Sequence, residues 1–517
     1  MANFSKSSVP RFSVEVYQNA YLPEGGYEMN AIVTVTATGG GTTGGAPLPA
    51  APARHPPHQR VPAHPPHQRV PAHPVPHQRV PAHDDRAHGG PATPGGPAHD
   101  RPATPGEGGA PYGGATAASG PGTAAVVLMV DCSGSMEYPP TKMRHARDAT
   151  AAALDTLRDG VCFAVVAGTH VAREVYPGGG RLAVAGPGTR AEAKEALRHL
   201  TPGGGTAIGT WLRLAERLLA ASGAAIRHGV LLTDGRNEHE APDDLRAALK
   251  TCAGRFTCDA RGVGTDWEVK EVTGIASALL GTADIVADPA GLAADFTRMM
   301  EHAMGKAVPD VALRLWTPVG AEVAFLRQVA PSVEDLTGRR TEAGPRAGDY
   351  PTGSWGDESR DYHLRVRVPP AGLGREMLAA RVSLVRPDPA GGQLRTLAQG
   401  LVRAVWTADT AASAPIHPQV AHYTGQAELA QAIQQGLQAR KSGDLYGATA
   451  RLGRAVQLAA ASGNTDTAKL LSKVVDVVDA AAGTVRLKAK VADADEMTLE
   501  TRSTKTVRVN RTHLKKP

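Results

Sequence analysis

The stretch Ala124–Met136, AAVVLMVDCSGSM, constrains the fold of this chain more than any other. Apolar residues run unbroken from Ala124 to Val130, β-branched at Val126, Val127 and Val130, and stop at Asp131. Such a run, closed by turn formers, predicts a strand buried on both faces, the pattern of a parallel sheet covered by helices. Asp131, Ser133 and Ser135 then occupy alternate positions, with Gly134 tightening the turn. Oxygen donors crowded at the carboxyl end of a central strand suit a hard divalent cation.

Residues 124–305 continue with alternating signals. VCFAVVAG (161–168), VAREVYP, HGVLLT (228–233), 257–263 and 283–287 read as strands. Met143, Ala146, Ala149, Ala153, Leu154 and Leu157 recur at helical spacing, and 189–200, 208–221, 243–253, 268–279 and 292–304 read as helices. This regular alternation predicts an α/β domain with a doubly wound parallel sheet. Residues 308–408 change period. VALRLWTP, EVAFLRQV, YHLRVRVPP, EMLAARVSLVRP and LVRAVWT alternate apolar and polar, predicting an antiparallel β-sandwich or barrel of about five strands. FSVEVYQ and NAIVTVTAT, within 9–38, are two further strands; a pair alone is marginal in water, so they are expected to complete that sandwich.

Residues 425–482 are rich in Ala, Leu and Gln and broken at Ser442-Gly443-Asp444 and Ser462-Gly463-Asn464, which predicts a small bundle of three helices, or one TPR-like hairpin plus a helix. Between the strand pair and the α/β domain, 39–120 reads as a disordered Gly/Pro/His-rich linker. HPPHQRVPA occurs there at 55–63 and 64–72 and returns with one inserted Val at 73–82. The segment lacks apolar residues for a core, and Pro opposes both helix and ladder. Nine of the 19 histidines fall between 53 and 99, a composition open to nickel or zinc, but duplication of a linker accounts for the repeat. Residues 483–517 are expected to form a solvated basic tail, since Arg502, Lys505, Arg508, Arg511, Lys515 and Lys516 lie close together.

The net charge of +6 over 517 residues is no nucleic-acid signature, and no nucleic-acid partner is expected. MANFSKSSVPRF lacks the apolar centre of a signal peptide, and no window approaches ~18 consecutive apolar residues. A soluble, cytoplasmic protein without membrane contact is therefore expected. Cys132 and Cys162 read as small side chains in apolar strands; Cys252 and Cys258 (CAGRFTC) are too few for structural zinc and unpromising as a disulfide in a reducing compartment.

Two downstream stretches complete the opening motif. Gly203-Gly204-Gly205-Thr206 precedes a helix, and Thr233-Asp234-Gly235 ends the HGVLLT strand. Asp131, Ser133, Ser135, Thr206 and Asp234 together resemble the metal-ion-dependent adhesion site of von Willebrand factor A (VWA) domains: a DxSxS signature, a distant Thr and a distant Asp. No ligand position departs from the pattern, and the resemblance covers 124–305. The layout with a flanking sandwich and helical segment is similar to intracellular actinobacterial VWA proteins. The resemblance implies a Rossmann-like fold in which Ser133, Ser135 and often Thr206 coordinate directly, with Asp131 and Asp234 acting mainly through water. Magnesium is the implied cation, with manganese or calcium as substitutes. Neutral ligands leave such an ion electrophilic, so an Asp or Glu from a protein partner is expected as its sixth ligand.

The expected function is thus a metal-dependent protein-binding module, not an enzyme. A haloacid-dehalogenase-type phosphatase needs a second Asp where Ser133 stands, and DCSGSM is no Gly-x-Ser-x-Gly elbow. Neither a P-loop nor a dinucleotide-binding glycine motif is present. The alternative is a regulatory phosphoprotein with a structural metal site. Residues 496–509 are dense in hydroxyls beside basic residues, with Thr504 and Thr506 as phosphorylation candidates for a Ser/Thr kinase and a forkhead-associated (FHA) reader. Family resemblance adds AAA-type ATPases as partners. Trp267 and Asp266 could rim the metal face, but core packing and a helix N-cap explain them more simply; Trp316, Trp355 and Trp406 read as sandwich residues.

Overall fold

The computed structural model describes residues 10–39, 124–388 and 394–508. The linker with its HPPHQRVPA repeats, beyond Gly39, lies outside the described residues.

The strand Ala124–Asp131 is central in a mixed sheet, parallel to Cys162–Gly168 on one side and Ile226–Thr233 on the other. Thr257–Val263 and Ala283–Val286 extend the parallel part. On the opposite edge Ala172–Tyr176 runs antiparallel to Cys162–Gly168. The three residues between those two strands leave no room for a crossover helix, so the chain folds back as a hairpin.

Side-chain parity divides the core. Val126, Leu128 and Val130 pack with residues of the helices Thr141–Thr156, Pro187–Arg198 and Leu292–Met304. Ala125, Val127 and Met129 pack on the other face, with Ile208–Ala221, Pro242–Cys252 and Val269–Ala278. Each buried Val, Leu or Met contributes about 1.5–3 kcal/mol, so both parities of this strand are committed and only its carboxyl end is free for chemistry. Cys252 and Cys258 are buried free thiols.

The second module is a sandwich of two sheets. One has the order Arg11–Gln18, Glu28–Thr38, Glu358–Arg367, Glu322–Ala330, Glu334–Asp335. The other runs Thr341–Gly344, Ala347–Trp355, Val308–Trp316, Glu376–Pro387, Leu394–Trp406, Tyr21–Leu22. Strand Glu28–Thr38 is interior, paired along its length from Glu28↔Arg367 to Ala37↔Glu358, so the α/β domain is inserted between early and late strands of one sandwich. Met29, Ala31, Val33, Tyr362 and Leu364 meet Leu313, Leu315, Val382, Val402 and Trp406 across the core. The sandwich exceeds the expected five strands. Pro351 and Gly353 hide the strand Ala347–Trp355 in the sequence; beyond Asp349 no strand among the described residues pairs on its outer side, which is where Pro is tolerated.

The helical segment consists of Pro418–Lys441, Leu445–Ser462 and Thr465–Val474. It does not continue as helix to 482: the β-branched run after Lys473 forms the strand Val475–Asp479, hairpinned with Thr484–Leu487. The expectation of a solvated tail over 483–517 is likewise corrected as far as residue 508; Arg511, Lys515 and Lys516 lie outside the described residues. A helix, Asp493–Arg502, buries Leu499, and the chain beyond it clasps both other modules. Arg502 Nε and Lys505 Nζ hold the two oxygens of Asp284 on the sheet edge, at 2.8 and 2.6 Å. Val333 N donates to Thr504 O and Thr506 N to Pro331 O, while Arg508 reaches Asp361 at 3.1 Å. These cations look solvated in sequence because their carboxylates lie hundreds of residues away. Among the described residues no helix is long and apolar enough to cross a membrane.

Candidate metal centre

All five sequence-selected residues meet at the carboxyl end of the central strand. Asp131 ends that strand, fully buried. Its Oδ1 accepts from Ser133 N (2.8 Å) and its Oδ2 from Thr233 Oγ1 (2.7 Å). Asp131 therefore organises the first two loops from behind. Ser133 is buried and Ser135 exposed, their hydroxyls 2.9 Å apart. Ser135 Oγ donates to Asp234 Oδ1 at 2.7 Å, which joins the DxSxS loop to the end of the neighbouring strand.

Thr206 arrives from a third loop. Gly203 N donates to Cys132 O and Gly134 N to Gly204 O, stitching this loop to the first. Gly204 has φ +79°, a conformation glycine adopts without penalty. The convergence of the hydroxyls is measured at Gly235. A methyl group placed there would lie 3.0 Å from Ser135 Oγ, 3.3 Å from Thr206 Oγ1 and 3.7 Å from Ser133 Oγ. Three neutral oxygens thus face one small cradle, kept open by the missing side chain of Gly235 and backed by two buried carboxylates. That donor set, oxygen only and two formal charges, fits a hard divalent cation such as Mg2+.

The electrostatics point the same way. Burial, reinforced by the Asp234 carboxylate, pushes the Asp131 carboxyl up to about 6. Two carboxylates gathered without solvent are unfavourable unless positive charge joins them, and the Lys142 ammonium, 2.5 Å from Asp234 Oδ2, offsets only one of the two. The neighbouring Cys132 thiol is pushed up to about 12, chiefly by burial.

Several contributing residues were not legible beforehand. Lys142, in the first turn of the helix Thr141–Thr156, places Nζ 2.5 Å from Asp234 Oδ2. His239 Nδ1 accepts from Thr206 N (3.2 Å), and the rings of His239 and His170 lie against Gly205 and Gly204. Helix Ile208–Ala221 begins at Ala207, which offers no side-chain cap. Asn237 Oδ1 and Glu240 Oε1 supply it from another loop, accepting from Ile208 N (2.7 Å) and Gly209 N (2.6 Å). Lone histidines and a loop Asn carry no spacing signal that could have exposed these roles. Trp267 lies in the core, and the helix after it is capped at Glu268, not Asp266; Asp266 instead faces Lys142. The phosphorylation candidates are not at this centre: Thr504 and Thr506 are half-buried in the clasp, where Thr506 Oγ1 donates to Val329 O at 2.6 Å.

A mixed sheet wrapped by six helices, with a DxSxS loop, a Thr loop and an Asp loop at one end, defines a VWA domain. Sequence profiles agree: the von Willebrand factor type A domain matches residues 124–285, and the von Willebrand factor type A C-terminal domain matches 457–503. The chain belongs to the von Willebrand factor type A family. It is similar throughout to a von Willebrand factor type A protein from Catenulispora acidiphila, with 45% identity and a TM-score of 0.78 over 98% of this chain and 99% of that one. The ArnB paralog VWA2 from Sulfolobus acidocaldarius shares the fold, with 13% identity and a TM-score of 0.53 over 96% and 98% of the two chains. No curated protein matches the chain significantly.

Proposed function

We propose that this protein is a metal-dependent binding module whose cradle holds Mg2+ and offers it to an Asp or Glu of a protein partner. The observation that carries this reading is the convergence of Ser133, Ser135 and Thr206 hydroxyls around the space beside Gly235. Ser135 is the exposed member, so the cradle opens to solvent on the side a partner would approach. Ser133, Ser135 and Thr206 would hold the ion, and Asp131 and Asp234 would orient them and balance its charge. The bound ion supplies Lewis acidity toward an incoming carboxylate. The reading is binding, not turnover, because the converging groups are neutral hydroxyls suited to holding a cation. The setting is taken as intracellular. An AAA-type ATPase is one class of partner consistent with the family. The phosphoprotein alternative draws less support, since the Thr506 hydroxyl is already committed to a backbone carbonyl.

The test is capture of partners on the immobilised protein with Mg2+ or with EDTA, repeated with Asp131→Ala. A partner retained only with Mg2+ and only by the unsubstituted protein supports the proposal. Partners indifferent to both changes would overturn it.

A further inference from the structure

Lys142 is a buried cation at this centre that the ligand set does not use. It is 5% exposed, with Nζ 2.5 Å from Asp234 Oδ2; it also donates to Ser135 O at 3.3 Å and to Asp266 Oδ2 at 3.3 Å. The position is costly on two counts. A cation in the first turn of a helix opposes the helix dipole, and burial strips an ammonium of water. Asp266 is 68% exposed and well screened, whereas Asp234 is fully buried. Asp234 is therefore the charge that keeps Lys142 where it is. The two oxygens of Asp234 are divided as a result: Oδ1 accepts from Ser135 Oγ, toward the hydroxyl cradle, and Oδ2 belongs to Lys142.

Resting on the metal-binding reading above, we infer that Lys142 is a resident countercharge that weakens capture of the bare cation and makes the loaded site depend on a partner's carboxylate. The charge count gives the reason. Among the buried groups, with the exposed and screened Asp266 left aside, Asp131 and Asp234 bring two negative charges and Lys142 one positive, so a bound dication leaves one positive charge over. One carboxylate neutralises it. Without Lys142 the loaded site is already neutral, so the ion is held more tightly and draws an incoming carboxylate less. Cation and ammonium also share one carboxylate and repel each other across it. Ion and partner are therefore expected to bind interdependently, which suits a site that engages only when both are present.

The experiment is a Mn2+ titration of the full chain, followed by electron paramagnetic resonance, for the parent, Lys142→Met and Lys142→Arg. Each titration is repeated in acetate, the simplest carboxylate probe. Lys142→Met should bind Mn2+ at least about tenfold more tightly than the parent, and Lys142→Arg should return to within about threefold of it, since the effect follows charge. Acetate should tighten Mn2+ binding to the parent and do so less for Lys142→Met. A structural role alone would weaken binding in both variants. The inference fails if the parent binds Mn2+ but Lys142→Met binds no more tightly, or if acetate affects the two equally or leaves the parent unchanged. Absence of Mn2+ binding in the parent and every variant would instead remove the metal-binding reading beneath it. Circular dichroism and melting curves establish folding, and Lys142→Gln carries the same comparison should Lys142→Met not fold.

Discussion

Gly235→Ala isolates the cradle from everything else the metal loops do. The added methyl would sit 3.0 Å from Ser135 Oγ and 3.3 Å from Thr206 Oγ1, closer than ordinary carbon–oxygen contact, with Ser133 Oγ at 3.7 Å. In the metal-free protein the hydroxyls must withdraw by a few tenths of an ångström, an overpacking cost of about 1–3 kcal/mol. The exposed Ser135 can absorb part of this by turning outward, so the low end applies to folding. Metal binding cannot be relieved that way, because the withdrawn hydroxyls are the proposed ligands. Losing one or two such contacts at ~1.4 kcal/mol per tenfold weakens the cation by roughly ten- to a hundredfold. The assay is thermal unfolding with and without Mg2+. For the parent, Mg2+ at a hundred times its dissociation constant should add about 2.7 kcal/mol of stability, and at the same Mg2+ the increment for Gly235→Ala should fall to about 0.4–1.4 kcal/mol. Gly203→Ala is the control: it lies in the same group of loops, and a methyl there meets nothing within 4 Å. Full Mg2+ stabilisation of Gly235→Ala, or equal loss in Gly203→Ala, would show that the hydroxyls do not converge on a cation.

The raised Asp131 carboxyl sets a pH dependence. Its folded value, about 6, exceeds its ordinary 3.8, so in metal-free protein its contribution to stability is complete below 3.8 and is lost as pH rises through 6. Metal binding needs the carboxylate, so Mg2+ or Mn2+ affinity should rise about tenfold per pH unit up to about 6 and flatten above it; calorimetry showing no change between pH 5 and 7 contradicts this. Asn237→Ala removes a cap from helix Ile208–Ala221 and should cost about 1 kcal/mol in urea unfolding, with a parallel loss of metal affinity because Thr206 sits just before that helix. Asp284→Asn should loosen the clasp, which keeps its backbone bonds at Thr504 and Thr506 and the Arg508–Asp361 pair. Its cations are 39% and 51% exposed and partly screened, so the loss is about 1–2 kcal/mol, seen as faster proteolysis after Arg502 or Lys505.

How much of this was legible in the sequence depends on where each residue's meaning lies. Ala124–Asp131 announces itself because both parities are apolar, and Asp131, Ser133, Ser135, Thr206 and Asp234 because their types and order form a signature. Lys142, His239, Asn237 and Glu240 act on those residues from separate loops, and each alone is an unremarkable polar residue. The strand Ala347–Trp355 stayed hidden behind Pro351 and Gly353, which in a central strand would break pairing but here face an unpaired edge. The C-terminal cations look solvated for a related reason: local sequence shows Arg502 and Lys505 but not Asp284. Periodicity and signature are local and survive in one dimension; caps, countercharges and clasps are made by distant partners and do not.

The central claim is that one divalent cation sits among Ser133, Ser135 and Thr206. Anomalous diffraction from crystals soaked in Mn2+ tests it most directly, alongside the same soak of Ser133→Ala. A manganese peak is expected within coordination distance of the three hydroxyls, much reduced or absent in Ser133→Ala. No peak at that position in the parent at saturating Mn2+, or an undiminished peak in Ser133→Ala, would contradict it.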